Sequence, residues 1–158
     1  MAITRGLAGT ESTLLASSNR ELDELFRASP AGAAPVGVLD GIAILFPGSP
    51  VSRALAAVVR AVAWRGKVID PDGKGLANRL TPFDIRAIRA VVRPTASLVD
   101  GGQCTVLDYS ATSFVAGGVR DEIRLVAPQM YLGVVWLWGR RVAWFSLRER
   151  RWRPGTTV

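Results

Sequence analysis

Hydrophobic and polar positions are most regularly patterned after the turn at Asp100-Gly101-Gly102. Gln103 to Tyr109, Val119 to Val126, Met130 to Leu137 and Val142 to Arg148 are apolar-rich runs separated by short turns, which predicts an antiparallel meander. Two-residue turns at Pro128-Gln129 and Gly139-Arg140 then decide which residues stand opposite each other and so share a face. One predicted face gathers Asp121, Ile123, Leu125, Met130, Leu132, Val134, Trp136, Ala143, Phe145 and Leu147, and is apolar except for Asp121. The other is mixed: Arg120, Glu122, Arg124, Val126, Tyr131, Gly133, Val135, Leu137, Val142, Trp144, Ser146 and Arg148. The first is read as the interior.

Upstream, Ser18 or Asn19 caps a short helix over 21–26, with Glu21, Asp23 and Glu24 early in it, where the helix dipole favours acids. Pro30 ends that helix. Val36 to Phe46 reads as a strand closed by Pro47-Gly48, and Ser49-Pro50 opens a second helix with Leu55, Val58, Val59 and Val62 at helical spacing. Trp64 to Ile69 and Leu76 to Leu80 are two strands around the Asp70 to Gly75 loop, and a register symmetric about that loop sets Lys67 opposite Asn78. Phe83 to Arg93 alternates imperfectly and reads as a strand, with a helix as the alternative. The predicted fold class is mainly β with two short helices, an antiparallel meander closed into a lipocalin-like β-barrel. The predicted organisation is a flexible N-terminal segment (1–18), one barrel domain (19–148) and a basic C-terminal tail (149–158).

At 158 residues, 49% hydrophobic and 21% charged, the chain has the composition of one ordered domain. One cysteine, Cys104, excludes an intramolecular disulfide, and the start has no signal-like apolar run. A cytoplasmic location is expected. No stretch is long and apolar enough for a spanning helix, so integral membrane association is not expected. The net charge of +7 favours anionic partners, but Lys67 and Lys74 are the only lysines among 20 basic residues, and no nucleic-acid motif accompanies the arginines. No nucleic-acid partner is expected, and oligomeric state is not legible.

Two short stretches carry a family resemblance. Gly37-Val38-Leu39-Asp40-Gly41, followed by Trp64-Arg65-Gly66-Lys67-Val68, resembles the bacterial GXWXG-type domains, relatives of the lipocalin and nitrobindin barrels. Leu39 stands where that family has Trp. The resemblance implies a barrel from about Gly37 to Leu147 and adds weight to Lys67. Nitrobindins hold haem through a histidine, and the chain has none, so that role does not carry over. Tyr109, Tyr131 and Cys104 are the residues left that are able to ligate iron.

Absence of histidine removes Ser-His-Asp and Cys-His schemes, and one cysteine leaves the usual zinc sites without a ligand set. Phosphate-cradling glycine motifs are missing. Asp121 is the sharpest candidate, because a carboxylate on an apolar interior face has to be paired, hydrogen-bonded or neutral. Asp121 and Tyr109 are therefore the candidate catalytic residues. Lys67 and Asn78 offer an ammonium and an amide to a ligand, while Trp136 and Phe145 line the interior and Tyr131 joins them if the faces are reversed. No metal and no cofactor are implied. The expected function is a barrel that binds a hydrophobic small molecule of lipid, polyketide or terpenoid type. The alternative is a cofactor-independent isomerase, dehydratase or cyclase in the same cavity.

Overall fold

The computed structural model describes residues 11–45, 64–80, 85–111 and 117–150. Eight strands run in chain order around a closed antiparallel barrel, each paired with its sequence neighbours and β1 closing onto β8. They are β1 (Gly37–Leu45), β2 (Trp64–Ile69), β3 (Gly75–Leu80), β4 (Ile85–Ala96), β5 (Gln103–Asp108), β6 (Val119–Ala127), β7 (Met130–Leu137) and β8 (Arg140–Glu149). Closure leaves no free sheet edge. Two short helices, α1 (Glu11–Ala16) and α2 (Asn19–Ala28), precede the barrel.

Helix α2 is the one predicted after Ser18. Ser18 is its N-cap and forms a reciprocal capping box with Glu21, satisfying backbone donors that the first turn leaves open. Leu22, Leu25 and Phe26 are buried on its inner side. Helix α1 falls within the segment expected to be loosely ordered, and Leu14 anchors it with no exposure. The helix predicted after Ser49 lies outside the described residues. The run predicted around 83–93 is strand β4, which continues through Pro94 to Ala96. The last β3 partner of β4 is Val91, opposite Gly75, so Pro94 pairs with Thr105 of β5 alone and its missing N–H disrupts no ladder on the other side. Strand β8 extends to Glu149, and Arg150 binds Asp40 through its side chain, so the start of the basic end is tied to the barrel.

The register corrects the predicted face of β7. Ala127 does face Met130 across the Pro128-Gln129 turn, but a bulge between Leu125 and Ala127 brings Leu125 opposite Tyr131. A second irregularity follows the next turn, which is Trp138-Gly139, both at positive φ, and it sets Val135 opposite Ala143. Each bulge adds one residue and exchanges the two faces. The exchanges cancel for β8 but not for β7. Tyr131 and Val135 join the interior cluster with Ile123, Phe145 and Leu147, while Met130, Leu132, Val134 and Trp136 lie on the outside.

Two apolar layers result. The inner one draws on all eight strands, including Leu39, Ile69, Leu76, Val92, Leu107 and Ile123. The outer one seats Leu14, Leu22, Leu25 and Phe26 against Ile44, Leu132, Val134 and Trp144, with the Phe26 and Trp144 rings tilted at 5.8 Å between centroids. Gly133 joins the two requirements. A Cβ there would stand 2.1 Å from the Phe145 ring, which lies across the barrel interior over that glycine. Gly133→Ala is expected to lower stability by about 1–3 kcal/mol in urea unfolding, and adding Phe145→Leu to recover most of the loss. An unchanged midpoint in the single variant contradicts this packing.

Candidate functional site

Strand β2 presents Lys67 to the interior by an irregular step. The pairing of β2 with β3 shifts between Trp64 and Gly66, and Gly66 sits at φ +131, where a Cβ would lie 2.0 Å from the Leu39 carbonyl oxygen. Only glycine fits so close to a neighbouring backbone. Lys67 then stands opposite Leu39 on one side and opposite Asn78 on the other, as the loop symmetry predicts. Outside the barrel, the missing side chain at Gly66 lets Arg79 reach over β2 to Asp40, at 3.0 Å.

Four polar side chains converge inside. Lys67 Nζ donates to Asn78 Oδ1 at 2.9 Å, to Tyr109 Oη at 2.5 Å and to Asp121 Oδ2 at 3.0 Å. Tyr109 Oη accepts from Asn78 Nδ2 and donates to Asp121 Oδ2, both at 3.2 Å. The ammonium also stands 5.4 Å from the centre of the Phe145 ring, within range of a cation–π attraction. All four residues are buried, Lys67 to 2% exposure and Asp121 to 4%. Burial works against the charge on Lys67, but Asp121 and Tyr109 outweigh it and hold the ammonium above its ordinary pKa. The Tyr109 phenol is pushed up to about 12, first by burial and then by the Asp121 charge, with Lys67 opposing.

One atom of the cluster is incomplete. Asp121 Oδ1 is buried and has no hydrogen-bond partner among the described residues. A carboxylate oxygen left so carries a desolvation cost of about 1–3 kcal/mol or more.

Of the residues predicted for the site, Lys67, Asn78, Tyr109 and Asp121 form this cluster, and Phe145 borders it. Tyr131 is interior too, but its hydroxyl donates to the Ala33 carbonyl at 2.9 Å and toward Glu149, away from the cluster. Burial and then Glu149 raise its pKa. Trp136 does not belong to the interior: it packs in the outer layer, where the Arg141 guanidinium lies 5.5 Å from its ring. Cys104 points to the outer side, where burial raises its thiol to about 11, so Tyr109, Tyr131 and Cys104 do not assemble a ligand set. Among the described residues no group of histidine, cysteine or carboxylate side chains is placed to hold a metal ion, and no helix is long and apolar enough to cross a membrane. Two surface recesses, of about 250 and 400 Å³, include none of the predicted site residues.

The charged run Arg120 to Arg124 is not a solvated strand surface. Glu122, with no exposure, accepts from Ser97 Oγ at 2.6 Å, Leu98 N at 2.9 Å and Arg120. Arg124, 2% exposed, grips Asp100 with two nitrogens at 2.7 and 2.8 Å and donates to the Phe26 and Gln103 carbonyls. Neither was foreseen as buried. The turn at 100–102, which brings Asp100 to Arg124, is the signal that was available.

No protein-family model and no curated protein matches the sequence. Among solved structures, the chain is similar to the crystal structure of a protein from Thermomonospora curvata, with a TM-score of 0.61 and 18% identity over 85% of this chain and 89% of that one. At that identity the likeness concerns the fold.

Two outcomes test the cluster. Lys67→Met and Asp121→Leu are each expected to cost about 3–5 kcal/mol by stranding the partner charge, and the double variant much less, because an apolar pair needs no compensation. Strict additivity in a double-mutant cycle contradicts the pairing. The second concerns alkaline stability. A phenol whose folded pKa lies above its ordinary 10.0 contributes stability that is complete below that pH and is lost as pH rises toward about 12. Lys67, also raised, acts in the same direction. The melting temperature is therefore expected to fall across that window more steeply in the native chain than in Tyr109→Phe.

Proposed function

We propose that the barrel binds a small molecule with an apolar body in its interior, oriented by the cluster of Lys67, Asn78, Tyr109 and Asp121. The observation that carries this reading is the buried, partnerless Oδ1 of Asp121. An apolar wall supplies affinity, and a few fixed polar groups supply orientation. The wall here is the inner layer of Leu39, Leu76, Leu107, Ile123 and Leu147. Phe145, lying over a position without a Cβ, is the side chain whose movement makes room. The ligand class is lipid, polyketide or terpenoid-like, and a cytoplasmic setting suits a carrier of such molecules. The two stretches that resemble GXWXG-type domains are adjacent strands, with Leu39 opposite Lys67, which supports reading them as one feature.

General-acid catalysis by Tyr109 or Lys67 is disfavoured by the state of these donors. A general acid works best with a pKa near the operating pH, whereas the Tyr109 phenol stands at about 12 and the Lys67 ammonium is held above its ordinary value.

Native mass spectrometry on protein isolated from its own cells is expected to retain one noncovalent small molecule that is released on denaturation. Titration with the fluorescent apolar dye N-phenyl-1-naphthylamine is expected to saturate at one site. Phe145→Trp, which fills the interior, should weaken that binding, whereas Trp136→Phe in the outer layer should not. No retained molecule together with no saturable dye binding overturns the reading.

A further inference from the structure

The valences of the interior cluster can be counted, and the count restricts the ligand. Lys67 has three protons, and each already has an acceptor: Asn78 Oδ1, Tyr109 Oη and Asp121 Oδ2. The Tyr109 hydroxyl accepts from Lys67 and Asn78 and directs its own proton to Asp121 Oδ2. What stays open is an acceptor, Asp121 Oδ1. The ion pair of Lys67 and Asp121 is buried on both sides, to 3% and 6% side-chain exposure, and is neutral as a unit.

We infer that the barrel selects ligands whose polar end is a neutral hydrogen-bond donor, an alcohol, a phenol or an N–H group, and rejects carboxylates and ammonium ions on the same skeleton. This rests on the interior-binding reading above and adds the chemistry of the head group. A hydroxyl gives Oδ1 the donor it lacks and forms a charge-assisted hydrogen bond, the stronger kind. A carboxylate would bring a second negative charge beside Asp121, where the nearby cation has no proton left to give, and two such charges at close range in a dry interior repel strongly. An ammonium would satisfy Oδ1 but set a second positive charge beside Lys67. The lysine thus serves as the fixed counter-ion of Asp121 and not as an anchor for anionic lipids.

The test uses three ligands with one chain: decanol, decanoate and decylammonium, each competing at neutral pH with N-phenyl-1-naphthylamine for the full-length protein. Decanol is expected to displace the dye at a concentration at least about tenfold below either ion, roughly 1.4 kcal/mol of discrimination. Asp121→Asn leaves Lys67 without its counter-ion and is expected to turn the preference toward decanoate. If that variant does not fold, the Lys67→Met, Asp121→Leu double variant keeps the interior neutral and is expected to remove the advantage of the alcohol over the ions that comes from Oδ1, bringing the three ligands closer together. Decanoate equal to or tighter than decanol on the native chain overturns the inference and leaves interior binding standing. A native-like margin for decanol in the double variant overturns it as well. Displacement by none of the three while the dye stays bound overturns the inference and leaves interior binding standing, whereas no saturable dye binding together with no retained molecule overturns both.

Discussion

A lysine inside an eight-stranded barrel needs its charge answered from within. Strands β2 and β6 are four apart in the closed order, so Lys67 and Asp121 come from opposite walls and meet at 3.0 Å in the space between. The cost of bringing either charge out of water is several kcal/mol, which makes each residue a condition for the other. The pair thereby constrains register. A slip of one residue in β2 or β6 carries a charge to the outer surface and leaves its partner buried alone. Gly66 belongs to the same constraint, since its closeness to the Leu39 carbonyl permits the step that turns Lys67 inward.

The outer side of the barrel uses buried charge for a different purpose. Arg124 stacks 4.7 Å from the Phe26 ring and donates to the Phe26 carbonyl at the end of α2, where open carbonyls and the helix dipole favour a cation. Its bidentate grip on Asp100 joins that helix end to the turn between β4 and β5. Glu122, two residues earlier on the same face, holds the other side of that turn through Ser97 and Leu98. Helix, turn and strand are fastened together by groups whose hydrogen bonds are made, and the apolar layer around Trp144 closes beneath them.

The strands, their order and the opposition of Lys67 and Asn78 were legible because turns and apolar runs punctuate the chain clearly. The face of β7 was not. Its sequence, MYLGVVWL, is apolar at almost every position because one side meets the barrel interior and the other meets α1 and α2. A strand covered on both faces loses the alternation that reports its register. Val126, at the bulge, is an apolar residue among apolar neighbours and announces nothing. The sequence pattern alone therefore points Trp136 inward and Tyr131 outward, the reverse of their positions. Asp121 falls on the expected face because on β6 it precedes both irregularities, and Phe145 does because the second one restores the phase in β8. Helix α1 went unread for a simpler reason: a single buried Leu14 in six residues makes no periodic pattern.

Inner and outer charges differ in one respect that bears on why the inner set exists. Buried ion pairs are weak devices for stability, since apolar replacements of similar volume often do as well or better. Outside, both oxygens of Glu122 and all three nitrogens of Arg124 have partners, and the contacts explain themselves by what they fasten. Inside, two charges, a phenol and an amide occupy space that leucine and phenylalanine fill around them, and one carboxylate oxygen is left without a donor. Stability alone gives no reason for that oxygen to stand unpartnered, although Trp136 Nε1 in the outer layer is also buried without a partner among the described residues. The binding reading proposed above gives one, because an acceptor preorganised by Lys67 and Tyr109 would need no rearrangement of its own when a donor arrives. On that proposal the polar cluster is the orienting end of an otherwise apolar interior.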